Sequence, residues 1–256
     1  MNAVLTDIDG SVGYITFNRP ECMNAINVDL ATALEVAIDQ LGSHQDVNVI
    51  VIRGAGRNFC AGGDFDEVQR LRAEGPDELR RLFTAFKSAC EAIGRAEVPI
   101  VAAVEGVAMA GGFELMQAAD IVLVADEARI SDNHINFGMI PGGGSTARLP
   151  RIVGRQQALG LLLSGDRISG IDAVTIGLAY KSYPAATFEE SVETFLRRLA
   201  GRDRSALAAI KTLVTDGLSK SFDRATSDEI DAVVRRISGQ AGQTGVSAFK
   251  NREVKA

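Results

Sequence analysis

The sequence lacks the features that mark several large classes of protein. No cluster of lysine and arginine stands out in its 256 residues, and the formal net charge is −6. Nucleic-acid and membrane-surface binding both rely on a positive footprint, so the composition disfavours both roles. The longest apolar stretch, Ile100–Val104, is followed by Glu105 and is too short to cross a bilayer.

Cysteine is scarce and shows no pairing pattern. Cys22, Cys60 and Cys90 form no C-x-x-C motif, and an odd number of cysteines favours free thiols in a reducing compartment. Residues 1–9 carry neither the basic nor the apolar segment of a secretory signal. We therefore expect a cytoplasmic protein. No cluster of histidine, cysteine and carboxylate residues has metal-ligand spacing, so no metal is expected.

What the chain does contain is the composition of a globular α/β protein. Apolar residues make up 46% and charged residues 23%, which suits one large domain or one domain with a small helical appendage. Val4–Asp9 and Val12–Phe17 are predicted to form a hairpin. Two apolar runs, at residues 47–52 and Ile100–Val104, are typical of strands buried on both faces.

Helical patterns alternate with these strands, which predicts a largely parallel sheet with crossover helices. Asn27 can cap one helix. Pro76 suits the first turn of another, whose apolar residues are expected to face inward: Leu79, Leu82, Phe83, Phe86 and Ile93. After about Pro184 the pattern changes to three amphipathic helices, at residues 188–199, 205–216 and 222–237.

Two glycine-bearing stretches could present backbone N–H groups to a ligand. They are residues 59–64 (FCAGGD) and residues 104–115 (VEGVAMAGGFEL). Glycine lets the backbone approach a ligand closely, and a loop that opens a helix leaves N–H groups unpaired. Two such groups from separate loops could hold one developing oxyanion, although the glycines could equally serve only tight turns. Neither stretch matches the P-loop or the G-x-G-x-x-G dinucleotide fingerprint.

Several motifs, in order along the chain, resemble the crotonase (enoyl-CoA hydratase/isomerase) family. The similar segments are residues 18–26 (NRPECMNAI), 59–64, 101–120, 140–150 (IPGGGSTARLP), 164–168 and 177–178. This resemblance covers nearly the whole chain and implies an α/β fold of repeated ββα units in a spiral, with a helical C-terminal section. It implies an acyl-CoA-binding catalytic core at residues 1–190 and a helical oligomerisation section at residues 191–256.

The resemblance also implies roles for individual residues. Gly63 and Gly111 would each supply one N–H to an oxyanion hole around the thioester oxygen. Glu114 lies where hydratases carry a catalytic glutamate, and His134 occupies the position of the second one. Further substrate-binding positions are expected at Ala61, Gly62, Asp64, Pro141 and Gly142.

Each of these residues also has a plainer interpretation. Glu114 could be an ordinary acid in the first turn of a helix, and His134 an inert, hydrogen-bonded loop histidine. Asp132 could orient His134 or be a surface carboxylate. Asp64 suits a loop cap better than a catalyst. Cys60 would need a base and a depressed pKa to act as a nucleophile.

Three positions depart from the family pattern. His134 replaces a glutamate, but an imidazole can also give or take a proton near neutral pH. Ala110 replaces the first residue of a triple glycine. Cys22 and Met23 stand where a lysine or arginine is common near the phosphates of coenzyme A.

The activity that the resemblance implies is hydration of a 2-enoyl-CoA to a 3-hydroxyacyl-CoA by a hydratase-like lyase. Coenzyme A would enter as part of the substrate, with no separate cofactor. A double-bond isomerase, a hydrolase that uses His134 as its base, and a non-catalytic CoA-binding protein are the alternatives. A homotrimer or a hexamer, with the helical section at the subunit contacts, is also implied.

Overall fold

The computed structural model describes residues 2–239 and residue 242. Two compact units are present, one ending at Arg204 and the other beginning at Ser205. The strands are β1 (Val4–Asp9), β2 (Val12–Phe17), β3 (Val49–Gly54), β4 (Ile100–Val104), β5 (Val107–Met109), β6 (Ile121–Ala125), β7 (Arg129–Ser131) and β8 (Lys181–Tyr183). The α-helices are α1 (Val28–Ser43), α2 (Phe65–Glu74), α3 (Pro76–Arg95), α4 (Gly111–Met116), α5 (Ser145–Ile152), α6 (Gly154–Ser164), α7 (Gly170–Thr175), α8 (Phe188–Ala200), α9 (Arg204–Gly217) and α10 (Phe222–Ser238).

The first unit is built on a six-stranded sheet with the order β1-β2-β3-β4-β6-β8. β1 and β2 form the expected antiparallel hairpin, and every later neighbour pairs in parallel. The strand expected at residues 47–52 is observed at Val49–Gly54. All residues of β4 are buried, because a parallel strand in the middle of a sheet has both faces covered. Helices α1 and α8 both pack on this sheet.

A second, smaller layer follows from the repeated ββα units. β4 leads into β5 and then α4, while β6 leads into β7 and then a short 3₁₀ helix, His134–Phe137. β5 and β7 pair in parallel, and Cys60 forms a parallel bridge with Ala108. The repeated ββα architecture is therefore confirmed, and its second layer brings three chain segments side by side.

Two helix starts follow the expected capping chemistry, but one helix and the direction of one side chain differ from expectation. The Asn27 side chain caps α1 at 2.8 Å, and α3 begins at Pro76. Helix α2 was not anticipated, because its sequence is mostly polar and buries only Leu71. The expectation that Phe83 faces inward was wrong: it is 42% exposed, and its ring lies beside Gly142 instead.

The three C-terminal helices are confirmed as α8, α9 and α10. Helix α8 belongs to the first unit and buries Phe188, Val192 and Leu196, so that unit continues past residue 190 to Arg204. In the part of the chain that the structure describes, no helix has the length and apolarity needed to span a bilayer.

The second unit, taken by itself, contains most of α9 and all of α10. Lys220 pairs with Asp228 at 2.9 Å, and Arg236 donates a hydrogen bond to Ser205 at 2.9 Å. Much of the apolar surface of these two helices and of the turn between them is exposed, at Ile210, Val214, Leu218, Phe222, Ile230, Val233, Val234 and Ile237. The end of the expected oligomerisation section, at residues 240, 241 and 243–256, lies outside the described residues.

Gly112 lies directly against the backbone of Cys60. A Cβ at Gly112 would overlap the carbonyl oxygen of Cys60, whereas a Cβ at Gly94, which is also helical, would meet nothing. We expect Gly112→Ala to lower the free energy of unfolding by about 1–3 kcal/mol, since a backbone atom cannot move aside. Gly94→Ala should raise it by at most about 1 kcal/mol. Urea unfolding measures both, and equal stabilities would contradict the close packing of these two segments.

Candidate active site

The two glycine-bearing loops lie against each other in the second layer. The Cys60 N–H donates to the Val107 oxygen at 2.9 Å, and the Met109 N–H donates to the Cys60 oxygen at 3.0 Å. Gly62 has a φ of 110°, and a Cβ there would lie 2.8 Å from the Ala110 Cβ and 3.4 Å from the Gly111 nitrogen. Only glycine fits between these groups, so the first loop runs directly beside the start of α4.

Two N–H groups at this contact have no acceptor among the residues that the structure describes. The flanking amides are occupied: Gly62 donates to the Cys60 sulfur at 3.4 Å, and Ala110 donates to the Ser131 oxygen at 3.0 Å. Within residues 2–239 and 242, the amides of Gly63 and Gly111 donate no hydrogen bond. Gly111 is the first residue of α4, and its N–H therefore has no acceptor in a preceding helical turn.

The residue before this helix has an unusual backbone. Ala110 has φ 47° and ψ −116°, a conformation that favours glycine and costs a residue with a side chain about 1–3 kcal/mol. The Ala110 N–H bond to Ser131 and the bond from the Glu114 N–H to the Ala110 oxygen, at 2.9 Å, hold it there. The surrounding structure thus enforces a turn that directs the start of α4, although the glycine of the family pattern is missing.

Glu114 lies inside the first turn of α4 and is 2% exposed. Its Oε1 atom accepts hydrogen bonds from the amides of Gly143, at 2.6 Å, and Ser145, at 3.1 Å. Burial raises the pKa of Glu114 above its ordinary value, while these two amides and His134 favour the ionised form and oppose the shift. A carboxyl held between these influences is suited to both accepting and releasing a proton.

His134 forms a close pair with Asp132. The Nδ1 atom of His134 lies 2.5 Å from the Oδ1 atom of Asp132, whose side chain is 1% exposed. The interpretation of Asp132 as a surface carboxylate is therefore wrong, because the end of β7 carries it into the interior. Burial by itself would lower the pKa of His134, but the hydrogen bond to Asp132 and the charges of Asp132 and Glu114 outweigh it and raise the pKa.

The loop that holds Glu114 has its own supports, which the sequence analysis did not anticipate. Arg148 donates to the Gly143 oxygen at 2.6 Å, and Gln117 donates to the Ser145 hydroxyl at 2.8 Å. Residues 140–150 were recognised only as a segment similar to the family pattern, with no structural role given to them. Their role is that this segment orients the amides that bind Glu114.

The remaining predicted substrate-binding positions surround the same loops. The Ala61 amide donates to the Met23 oxygen at 2.9 Å. Asp64 caps α2 at 3.1 Å and pairs with Arg19 at 2.7 Å, so its carboxylate has a structural partner at each oxygen. Pro141 and Gly142 precede the segment that holds Glu114, with Gly142 against the ring of Phe83. Their contact with substrate stays a prediction.

Three other features, a thiol, possible metal ligands and a separate cavity, offer little to the chemistry of these loops. Burial raises the pKa of the Cys60 thiol to about 12, so this thiol is inert as a nucleophile near neutral pH. Among the described residues, no group of three histidine, cysteine or carboxylate side chains is placed to hold a metal. A separate cavity of about 770 Å³, lined in part by Arg53, Glu105 and Glu193, contains none of the predicted site residues.

Comparison with known proteins identifies one family along nearly the whole chain. The family model described as Enoyl-CoA hydratase/isomerase matches residues 7–255. The chain belongs to the enoyl-CoA hydratase/isomerase family. A crotonyl-CoA hydratase from Syntrophomonas wolfei is 30% identical over 96% of this chain and 94% of that protein. A peroxisomal Delta(3,5)-Delta(2,4)-dienoyl-CoA isomerase from Arabidopsis thaliana is 28% identical over 84% of this chain and 81% of that protein.

The fold of this family member agrees with solved structures. The crystal structure of an enoyl-CoA hydratase from Polaromonas sp. JS666 aligns with a TM-score of 0.93 at 29% identity, covering 97% of each chain. Membership of the enoyl-CoA hydratase/isomerase family thus rests on the sequence and on the fold together.

Proposed function

We propose that this protein is an enoyl-CoA hydratase that adds water to a 2-enoyl-CoA and forms a 3-hydroxyacyl-CoA. The observation that carries the proposal is the pair of unused amides, at Gly63 and Gly111, beside a buried glutamate and a carboxylate-bound histidine. A thioester oxygen bound by both amides would gain charge as the β-carbon is attacked. Each oxyanion-hole donor contributes about 3–4 kcal/mol to transition-state stabilisation.

The proton transfers divide between the two acid–base groups. Glu114 takes a proton from water as the water oxygen attacks the β-carbon. The electrons of the carbon–carbon double bond shift toward the thioester carbonyl and form the enolate, which Gly63 and Gly111 hold. The cationic form of His134, or a water molecule that it binds, then gives a proton to the α-carbon. The pKa directions at the two groups support this division, because both are raised from their ordinary values.

Double-bond isomerisation is the second candidate. It uses the same enolate but returns a proton to a different carbon, and the relative from Arabidopsis thaliana carries an isomerase name. Hydration is favoured here because Glu114 and His134 offer two separate acid–base groups, one for the water and one for the α-carbon. Mass spectrometry separates the two reactions, since hydration adds the mass of one water and isomerisation leaves the mass unchanged.

The proposal is tested by adding the protein to crotonyl-CoA. We expect the enoyl absorbance to fall, and Glu114→Gln to slow its loss by about 10²–10⁴-fold, the contribution typical of a general acid–base group. Glutamine can still accept the two amide hydrogen bonds but cannot take the proton. The matched control is Glu189→Gln, at a glutamate that is none of the predicted site residues and whose side chain is 87% exposed. Unchanged absorbance with both straight- and branched-chain enoyl-CoAs would contradict the proposal.

Self-association completes the proposed assembly, as a homotrimer or a hexamer in the cytoplasm. The support within the second unit is the exposed apolar surface of α9 and α10, with Val214 63% and Phe222 81% exposed. Surface of this kind marks a protein contact. Sedimentation equilibrium should give three or six times the chain mass of 27.1 kDa, and a monomeric mass would contradict the assembly.

A further inference from the structure

We propose that Asp132 is a positioning residue for His134, which keeps the imidazole proton on Nδ1 and leaves Nε2 to exchange protons with the substrate. The inference rests on the proposed function, in which His134 serves the α-carbon. It chooses the orienting role for Asp132 over a surface position, and it explains how a histidine can work where the family pattern carries a glutamate.

The first argument is the distance between the two side chains. Nδ1 of His134 and Oδ1 of Asp132 are 2.5 Å apart, closer than the roughly 2.7–2.9 Å usual for a charge-assisted N–H···O bond, so the two side chains are in direct hydrogen-bond contact. A carboxylate can only accept, so the nitrogen that faces it has to carry the proton. When the imidazole is neutral, this contact selects the tautomer in which Nε2 is the unprotonated nitrogen.

The second argument is the burial of Asp132. Its side chain is 1% exposed, and its other oxygen, Oδ2, has no hydrogen-bond partner among the described residues. A buried carboxylate is costly unless its charge is paired and its oxygens are hydrogen-bonded. The imidazole of His134 is the side chain that hydrogen-bonds Oδ1. The fold therefore keeps the buried carboxylate of Asp132, at a cost in free energy, where it binds the histidine.

The third argument is the way in which this pair is tied to the two unused amides. Asp132 directly follows β7, which pairs in parallel with β5, and β5 leads into the Ala110 turn. The Ala110 N–H donates to the oxygen of Ser131, the residue before Asp132. The backbone at Asp132 is therefore connected through Ser131 and Ala110 to the segment that presents the Gly111 amide. This connection fixes the position of the carboxylate that binds His134.

The charges around His134 come from two elements. Asp132 acts from its own loop, and Glu114 acts from α4. Helix α6, which packs on the 3₁₀ helix that begins at His134, carries one charged residue, Arg155, and it is exposed. Asp132 is thus the one charged group in direct contact with the imidazole among the described residues, and its removal should change the protonation of the ring.

Enzyme kinetics provide the first test, through the substitution Asp132→Asn. We expect kcat for crotonyl-CoA to fall by about 10²–10⁴-fold, as in other active sites that lose the partner of a histidine, while KM changes by only a few-fold. The alkaline limb of the pH profile should move to lower pH, because loss of the carboxylate lowers the pKa of His134. In a His134→Ala background the same substitution should have little further effect, since Asp132 acts through the histidine.

Nitrogen NMR gives a second test that does not depend on activity. The chain has only two histidines, and His44→Gln, which removes the exposed one, assigns the spectrum. For neutral His134 we expect a protonated Nδ1 and an unprotonated Nε2 in the parent protein. In Asp132→Asn this preference should weaken, because an amide can either donate or accept.

Three outcomes would overturn the inference. They are a neutral His134 in the parent protein with its proton on Nε2, unchanged turnover in Asp132→Asn, and an equal loss of turnover with and without His134. A parent protein that shows the expected tautomer but does not hydrate enoyl-CoAs would overturn the proposed function alone. The NMR measurement on the parent protein also decides the question if Asp132→Asn does not fold.

Discussion

Pairing between the second strands of successive ββα units is the constraint on which the site depends. Parallel pairing of β5 with β7, together with the hydrogen bonds of Cys60 to the β5 segment, brings three distant stretches of chain to one place. The amides of Gly62 and Ala110 donate to the Cys60 sulfur and the Ser131 oxygen, whereas within the described part of the chain those of Gly63 and Gly111 donate no hydrogen bond. The positive φ of Ala110 is the cost of this arrangement, and the pairing around it holds the strained turn.

Around these amides, burial and hydrogen bonding act on the acid–base groups in opposite directions. Burial favours the neutral forms of Glu114 and His134. The amides of Gly143 and Ser145 favour the ionised form of Glu114, and the carboxylate of Asp132 favours the charged form of His134. The balance raises the pKa of both groups, which suits Glu114 to accepting a proton and His134 to giving one. In the proposed mechanism, His134 takes the place of a second glutamate because the buried carboxylate of Asp132 orients it.

Much of this arrangement could be predicted from the sequence, because the motifs are local and occur in order. Glycine spacing in residues 59–64 and 104–115 predicted the two loops, and the position of Glu114 in a first helical turn was confirmed. Contacts between distant residues could not be predicted. Asp132 stands in a polar stretch that resembles a surface loop, and only its attachment to β7 makes it buried. Phe83 fits the apolar stripe of α3, yet its ring lies beside a loop some 60 positions away, at Gly142.

The central claim is that one thioester oxygen is bound by two backbone amides, and its most direct test is a pair of substitutions at Gly63. A Cβ there would come no closer than 3.9 Å to Val68, so Gly63→Ala keeps the amide at little steric cost, whereas Gly63→Pro removes it. The account predicts near-normal kcat for the alanine variant and a loss of about 10²–10³-fold for a folded proline variant. Equal turnover in the two folded variants would contradict it.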